Sequence, residues 1–126
     1  MLENILINET QYTPHIELNY ETKVVVLRGK SYPENTFEFY APLLEWINKY
    51  TQNAENEKLD IKMEIIYFNS SSSKLFFDLF DILYESSKTM QINIEWICDE
   101  ENECAIEAGE DFKEDFEDLD FSIKIK

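Results

Sequence analysis

The sequence predicts an α/β fold, a two-layer sandwich in which a mixed β-sheet carries its helices on one face. Three observations predict it. Four segments alternate apolar and polar residues with the period of two that a strand with one wet face shows, and a fifth, Lys23 to Arg28, reads as a returning strand. Three further segments carry apolar residues at helical spacing, and the order along the chain reads β-β-α-β-α-β-α-β. Strand–helix–strand units imply parallel neighbours joined by right-handed crossovers. Strands covered on both faces would be apolar throughout, and these are not, so one face of the sheet is left to solvent or a partner.

The elements follow in order. Ile16, Leu18 and Tyr20 alternate with His15, Glu17 and Asn19 as a first strand. Glu21-Thr22 makes a short turn, and Lys23 to Arg28 returns as a second strand that Gly29 ends, giving a hairpin. Ser31 to Thr36 opens the first helix, with Asn35 or Thr36 as N-cap. Phe37, Tyr40, Leu44 and Ile47 mark its buried face, Pro42 is expected to kink or restart it, and it runs to about Tyr50. Gln52 to Glu57 reads as a polar loop. Leu59, Ile61, Met63 and Ile65 alternate with Asp60, Lys62 and Glu64, and Ile66-Tyr67-Phe68 continues this strand. Burying those three charges unpaired would cost several kcal/mol each, so their face is expected to stay uncovered. A second helix runs from about Ser72 to Ser87. Ile92, Ile94 and Trp96 mark the next strand. An acidic third helix from about Glu101 to Phe116 is anchored by Ile106, Phe112 and Phe116. Phe121, Ile123 and Ile125 mark the last strand.

Composition narrows the function. The 126 residues suit one domain spanning 1–126, with 44% hydrophobic and 14% aromatic residues to build a core. The formal charge of −16 makes nucleic acid and anionic membrane poor partners. The chain has 2 glycines, too few for a Gly-rich phosphate loop. No apolar run is long enough to span a bilayer, and the amino-terminal residues lack the pattern of a secretion signal. Asn8-Glu9-Thr10 and Asn69-Ser70-Ser71 match the glycosylation pattern, which carries no weight without such a signal. Cys98 and Cys104 read as free thiols in a reducing cytoplasm. His15 reads as a surface strand residue, since no Ser, Cys or Asp stands near it in sequence to form a catalytic set. No carboxylate pair shows catalytic spacing, and neither a metal site nor a cofactor is expected.

The distinctive stretch is Tyr67-Phe68-Asn69-Ser70-Ser71-Ser72-Ser73-Lys74, which joins a strand to the start of an apolar helix. Its four hydroxyls read either as helix caps or as phosphoacceptors, because a helix N-terminus stabilises an added anion. In the helix that follows, Leu75, Phe76, Leu79, Ile82 and Leu83 suit packing on the sheet. Phe77, Phe80 and Tyr84 form a second, aromatic stripe. It either meets a neighbouring helix or stays exposed to dock a partner. The acidic segments Asp99 to Glu103 and Glu110 to Asp120 read as solvated faces.

Thr13-Pro14, Ser31-Tyr32-Pro33-Glu34-Asn35, Tyr67-Phe68-Asn69-Ser70-Ser71-Ser72 and Ala108-Gly109-Glu110-Asp111-Phe112 occur in the order and spacing of the SiaC-type regulatory phosphoproteins. The chain resembles that family over nearly its whole length. The resemblance implies a fold and logic like those of the anti-sigma-factor antagonists (STAS-like). It implies a non-catalytic signalling protein, switched by a dedicated kinase and phosphatase. The unphosphorylated form would bind and activate a diguanylate cyclase, linking the protein to cyclic di-GMP and biofilm formation. The family's phosphoacceptor, usually threonine, falls on Ser70 here, with Ser71 and Ser72 as alternatives. Asn69, Phe77, Phe80 and Tyr84 are the expected partner-binding residues. The competing readings are an unregulated structural adaptor and a small enzyme using His15 or an acidic pair.

Overall fold

The computed structural model describes residues 2–53 and 56–126. Of the expected polar loop, Ala54 and Glu55 lie outside the described residues. The elements are β1 (Ile5–Ile7), β2 (His15–Asn19), β3 (Val24–Ser31), α1 (Thr36–Gln52), β4 (Lys58–Phe68), α2 (Ser70–Ser86), β5 (Gln91–Cys98), α3 (Glu103–Asp115) and β6 (Asp120–Ile125). The strands form one sheet in sequence order, antiparallel from β1 to β3 and parallel from β3 to β6.

That order explains why the helices share a face. Each crossover joins adjacent strands and always steps in the same direction, so right-handed connections place α1, α2 and α3 on the same side. Burial agrees: Ile16, Leu27, Met63 and Trp96 lie beneath the helices, as do Leu18, Val25, Ile61, Ile94 and Phe121. The residues between them face the other way. Lys62 is exposed, Asp60 and Glu64 are partly exposed, and no helix covers them. Two of the three have partners along this face. Asp60 accepts from Asn93 Nδ2 at 3.0 Å and lies 3.8 Å from Lys58, and Glu64 pairs with Lys126.

Several expectations are corrected. β1 was not foreseen, because Ile5-Leu6-Ile7 is too short to show a period; it pairs with β2, with Leu6 62% exposed. Gly29 does not end β3. The strand passes through it at φ +130°, a conformation that glycine alone tolerates easily, and continues to Ser31. On α1 the buried stripe is Tyr40, Leu43, Trp46, Ile47 and Tyr50. Its centre lies one residue to the side of the expected one, which leaves Leu44 on the margin and Phe37 74% exposed. Pro42 does not interrupt α1. It sits on the exposed side, where water can satisfy the carbonyl that its missing N–H leaves free.

Trp96 organises the α3 side of the core. Its indole Nε1 donates to the Ala105 carbonyl at 2.9 Å, and its ring packs against Phe68, Phe76 and Phe112. Gly109 lets α3 approach that ring. A Cβ there would stand 2.5 Å from Trp96 Cδ1 and 2.8 Å from Nε1. The tryptophan is pinned and cannot yield cheaply. Gly109→Ala is therefore expected to cost about 1–3 kcal/mol, read as a lower denaturation midpoint in urea.

Candidate functional site

All three helices start at the carboxyl end of the parallel strands, each capped by an asparagine. The side-chain oxygens of Asn35, Asn69 and Asn102 accept from the N–H groups of Glu38, Ser72 and Ala105 at 3.0, 2.9 and 3.1 Å. Helix α2 thus begins at Ser70, earlier than expected, and none of the four serines is its cap. Capping is the work of Asn69, whose side-chain oxygen is committed to it.

The serines then divide by environment. Ser72 is fully buried. Its hydroxyl donates to the Ser31 carbonyl at 3.0 Å and lies 2.7 Å from Ser31 Oγ. Ser31 Oγ is in turn 2.5 Å from the Tyr40 hydroxyl. One donor order satisfies all three groups, running from Tyr40 to Ser31 Oγ to Ser72 Oγ to the Ser31 carbonyl. Burial pushes the Tyr40 phenol well above its ordinary 10.0, with the Ser31 hydrogen bond a smaller opposing effect, so it stays a neutral donor. The same Ser31 carbonyl accepts the Asn69 N–H at 3.1 Å. Ser31 thereby fastens the first turn of α2 to the end of β3.

Ser72 is consequently unavailable as an acceptor in the folded chain, which corrects that alternative. Ser72→Ala is expected to lower stability by about 1–3 kcal/mol by removing the acceptor for the buried Ser31 hydroxyl proton, measurable by urea denaturation. Ser70 and Ser71 are exposed and Ser73 is half-buried. Ser70 is the first residue of α2, where free backbone N–H groups and the helix dipole favour a negative charge.

The aromatic stripe on α2 does not stay together. Phe80 is fully buried among Phe112, Phe116 and Phe121, at ring distances of 5.0, 5.7 and 5.4 Å. It meets α3 and β6, so it is corrected from docking residue to core residue. Phe77 leans on Phe116 at 4.9 Å yet keeps 40% exposure. Tyr84 is half-buried, with the Lys88 ammonium 5.2 Å from its ring centre. Ser70, Lys74, Phe77, Asp81 and Tyr84 recur at helical spacing along one outward face of α2.

The sequence reading missed a neighbouring feature. Tyr12, Tyr32 and Tyr67 meet edge to face at 5.2 and 5.5 Å at this same end of the sheet. Tyr12 and Tyr67 are 52% and 55% exposed. His15, by contrast, sits on the open sheet face opposite Arg28. Cys98 is buried and Cys104 exposed, both free; burial raises the Cys98 thiol above its ordinary range. Among the described residues no cluster of metal-ligating side chains occurs, and no helix is long and apolar enough to cross a membrane.

Residues 7–126 match the family described as SiaC family regulatory phosphoprotein. An uncharacterised protein of Pseudomonas aeruginosa is 29% identical over 115 residues, which is 90% of each chain. The solved structure of SiaC of Pseudomonas aeruginosa superposes with a TM-score of 0.89 at 26% identity, covering 98% of this chain and 99% of that one. A crystal structure of the diguanylate cyclase SiaD in complex with its activator SiaC, from the same organism, matches with a TM-score of 0.89 at 28% identity, covering 97% and 99%. With this sheet, this helix start and a family match over almost its full length, the chain belongs to the SiaC family of regulatory phosphoproteins.

Proposed function

We infer that this chain is a non-catalytic signalling protein that binds and controls a diguanylate cyclase, and that reversible phosphorylation of Ser70 switches the binding off. A dedicated kinase and phosphatase act on it, the setting is the cytoplasm, and the output is cyclic di-GMP and biofilm formation. The observation that carries the reading is the division among the serines. In a family of regulatory phosphoproteins, Ser70 is exposed at the first position of α2, while Ser72 two residues on is locked in the core. The solved complex of a family member with a cyclase supports the choice of partner. Asn69 shapes the binding surface as the cap of α2, and Phe77 and Tyr84 extend it along the outward face.

Intact-mass analysis of the protein taken from its own cells tests the switch. The expected result is a fraction heavier by one phosphate, removed by phosphatase treatment, and absent from the Ser70→Ala protein. Unmodified protein under all growth conditions would favour an adaptor that is never regulated. A phosphate that survives Ser70→Ala would move the site to Ser71 or Ser73.

A further inference from the structure

The sheet has two outer edges, and they differ. β1 closes one with 3 residues, a short template for another strand. β6 closes the other with 6, and among the described residues no strand pairs with its outer side. Folded proteins blunt long edges with proline, bulges or charge. β6 contains no proline. Its pairing with β5 keeps one register throughout, unlike that of β3 with β4, where a bulge follows Gly29.

The ladder shows which backbone groups face outward. The Lys126 N–H donates to the Cys98 carbonyl at 2.9 Å, and the Lys126 carbonyl accepts the Glu100 N–H at 3.3 Å. Both groups of Lys126 therefore point to β5. Alternate residues of a strand face the same neighbour, so Ser122 and Lys124 also bond to β5. Phe121, Ile123 and Ile125 then hold their N–H and C=O groups to the open edge. Their side chains lie on the helix-bearing side, where Phe121 is buried, Ile123 half-buried and Ile125 51% exposed.

This strand is complementary to itself. Set antiparallel to a second β6 about Ile123, it places Ile123 opposite Ile123, Phe121 opposite Ile125, Ser122 opposite Lys124 and Asp120 opposite Lys126. The outward backbone groups all find partners, and the apolar residues meet on one side. An Asp–Lys pair forms at each end, and no like charges are opposed. Lys124, the kind of residue that guards an edge, meets a serine.

We propose that the outer edge of β6 is an interface for a second copy of this chain, the two strands pairing antiparallel about a two-fold axis at Ile123 and joining two sheets into one. Such a contact is isologous and closes on itself. It is one strand wide, at the low end of interface sizes, so the dimer is weak. Two chains of net charge −16 repel, so it tightens as salt screens them. The axis sends the two α2 starts to opposite ends of the joined sheet. Each Ser70 stays uncovered, and pairing is independent of the functional reading above.

Sedimentation equilibrium of the full chain, from about 10 μM to about 1 mM at low and high salt, tests the pairing. The expected result is a reversible monomer–dimer equilibrium that strengthens with salt. Ile125→Pro removes an outward N–H and spares the bonds to β5, and it is expected to weaken dimerisation about tenfold or more. Leu6→Glu, on the β1 edge, is expected to change it by less than about twofold. If Ile125→Pro melts far below the parent, Ser122→Lys, which sets a lysine opposite Lys124 of the second copy, replaces it. Ile123→Cys, combined with Cys104→Ser, is expected to give a disulfide-linked dimer on mild oxidation, because bonded opposite residues stand about 5.5 Å apart. A monomer at every concentration and salt would overturn the proposal. So would a dimer that keeps parent affinity in the β6 variant, or one lost in Leu6→Glu. A dimer without the Ile123→Cys disulfide would overturn the pairing about Ile123.

Discussion

Phe80→Ala is expected to destabilise the protein by about 3–5 kcal/mol, a large share of the 5–15 kcal/mol typical of a domain. The ring is fully buried and touches three aromatic rings from α3 and β6, so truncation empties a space that its neighbours cannot fill. Urea denaturation with the unfolding slope unchanged is the measurement. Phe77→Ala should cost much less stability, since Phe77 is 40% exposed and has one aromatic partner, Phe116. Its effect should appear in cyclase affinity instead. If the two variants lost equal stability, the division of the aromatic stripe into core and surface would be wrong.

Phosphorylation of Ser70 is expected to weaken partner binding by about 2–5 kcal/mol, some thirtyfold to several thousandfold, with the fold unchanged. The domain itself tolerates the group. Ser70 is the first residue of α2, and the helix end favours a negative charge by about 0.3–1 kcal/mol at an exposed position. The interface has no such compensation. On the proposed reading it forms around a neutral hydroxyl, and a phosphate would bring about −1.5 to −2 charges into it. Ser70→Ala should bind constitutively. Ser70→Asp should mimic only partly, having a single charge.

Period-two and helical patterning made most of this fold legible. Alternation along Leu59 to Ile65 located both the buried row of β4 and its open, charged face. The strand–helix order indicated where the helices would lie. What escaped has specific causes. β1 has three residues, fewer than a period needs. The bulge after Gly29 depends on backbone geometry, and it reversed the side to which alternation assigns Tyr67. The contact of Tyr12, Tyr32 and Tyr67 joins residues distant in sequence, so no local pattern reveals it. The Tyr67 to Ser72 motif was legible, and Ser70 is the acceptor that it implies. That Asn69 caps α2 and Ser72 is buried followed only from where β3 ends, since Ser31 supplies the contacts that separate the two serines. Phe80 was misassigned because helical spacing shows that a second stripe exists, not whether another helix covers it.

The central claim is that a charge at Ser70 controls binding without disturbing the fold. Titrating unmodified and singly phosphorylated protein against the diguanylate cyclase, with circular dichroism on both forms, tests it most directly. The account predicts matching spectra and an affinity lower by about thirtyfold or more for the phosphorylated form. Equal affinities, or binding lost together with the folded spectrum, would contradict it.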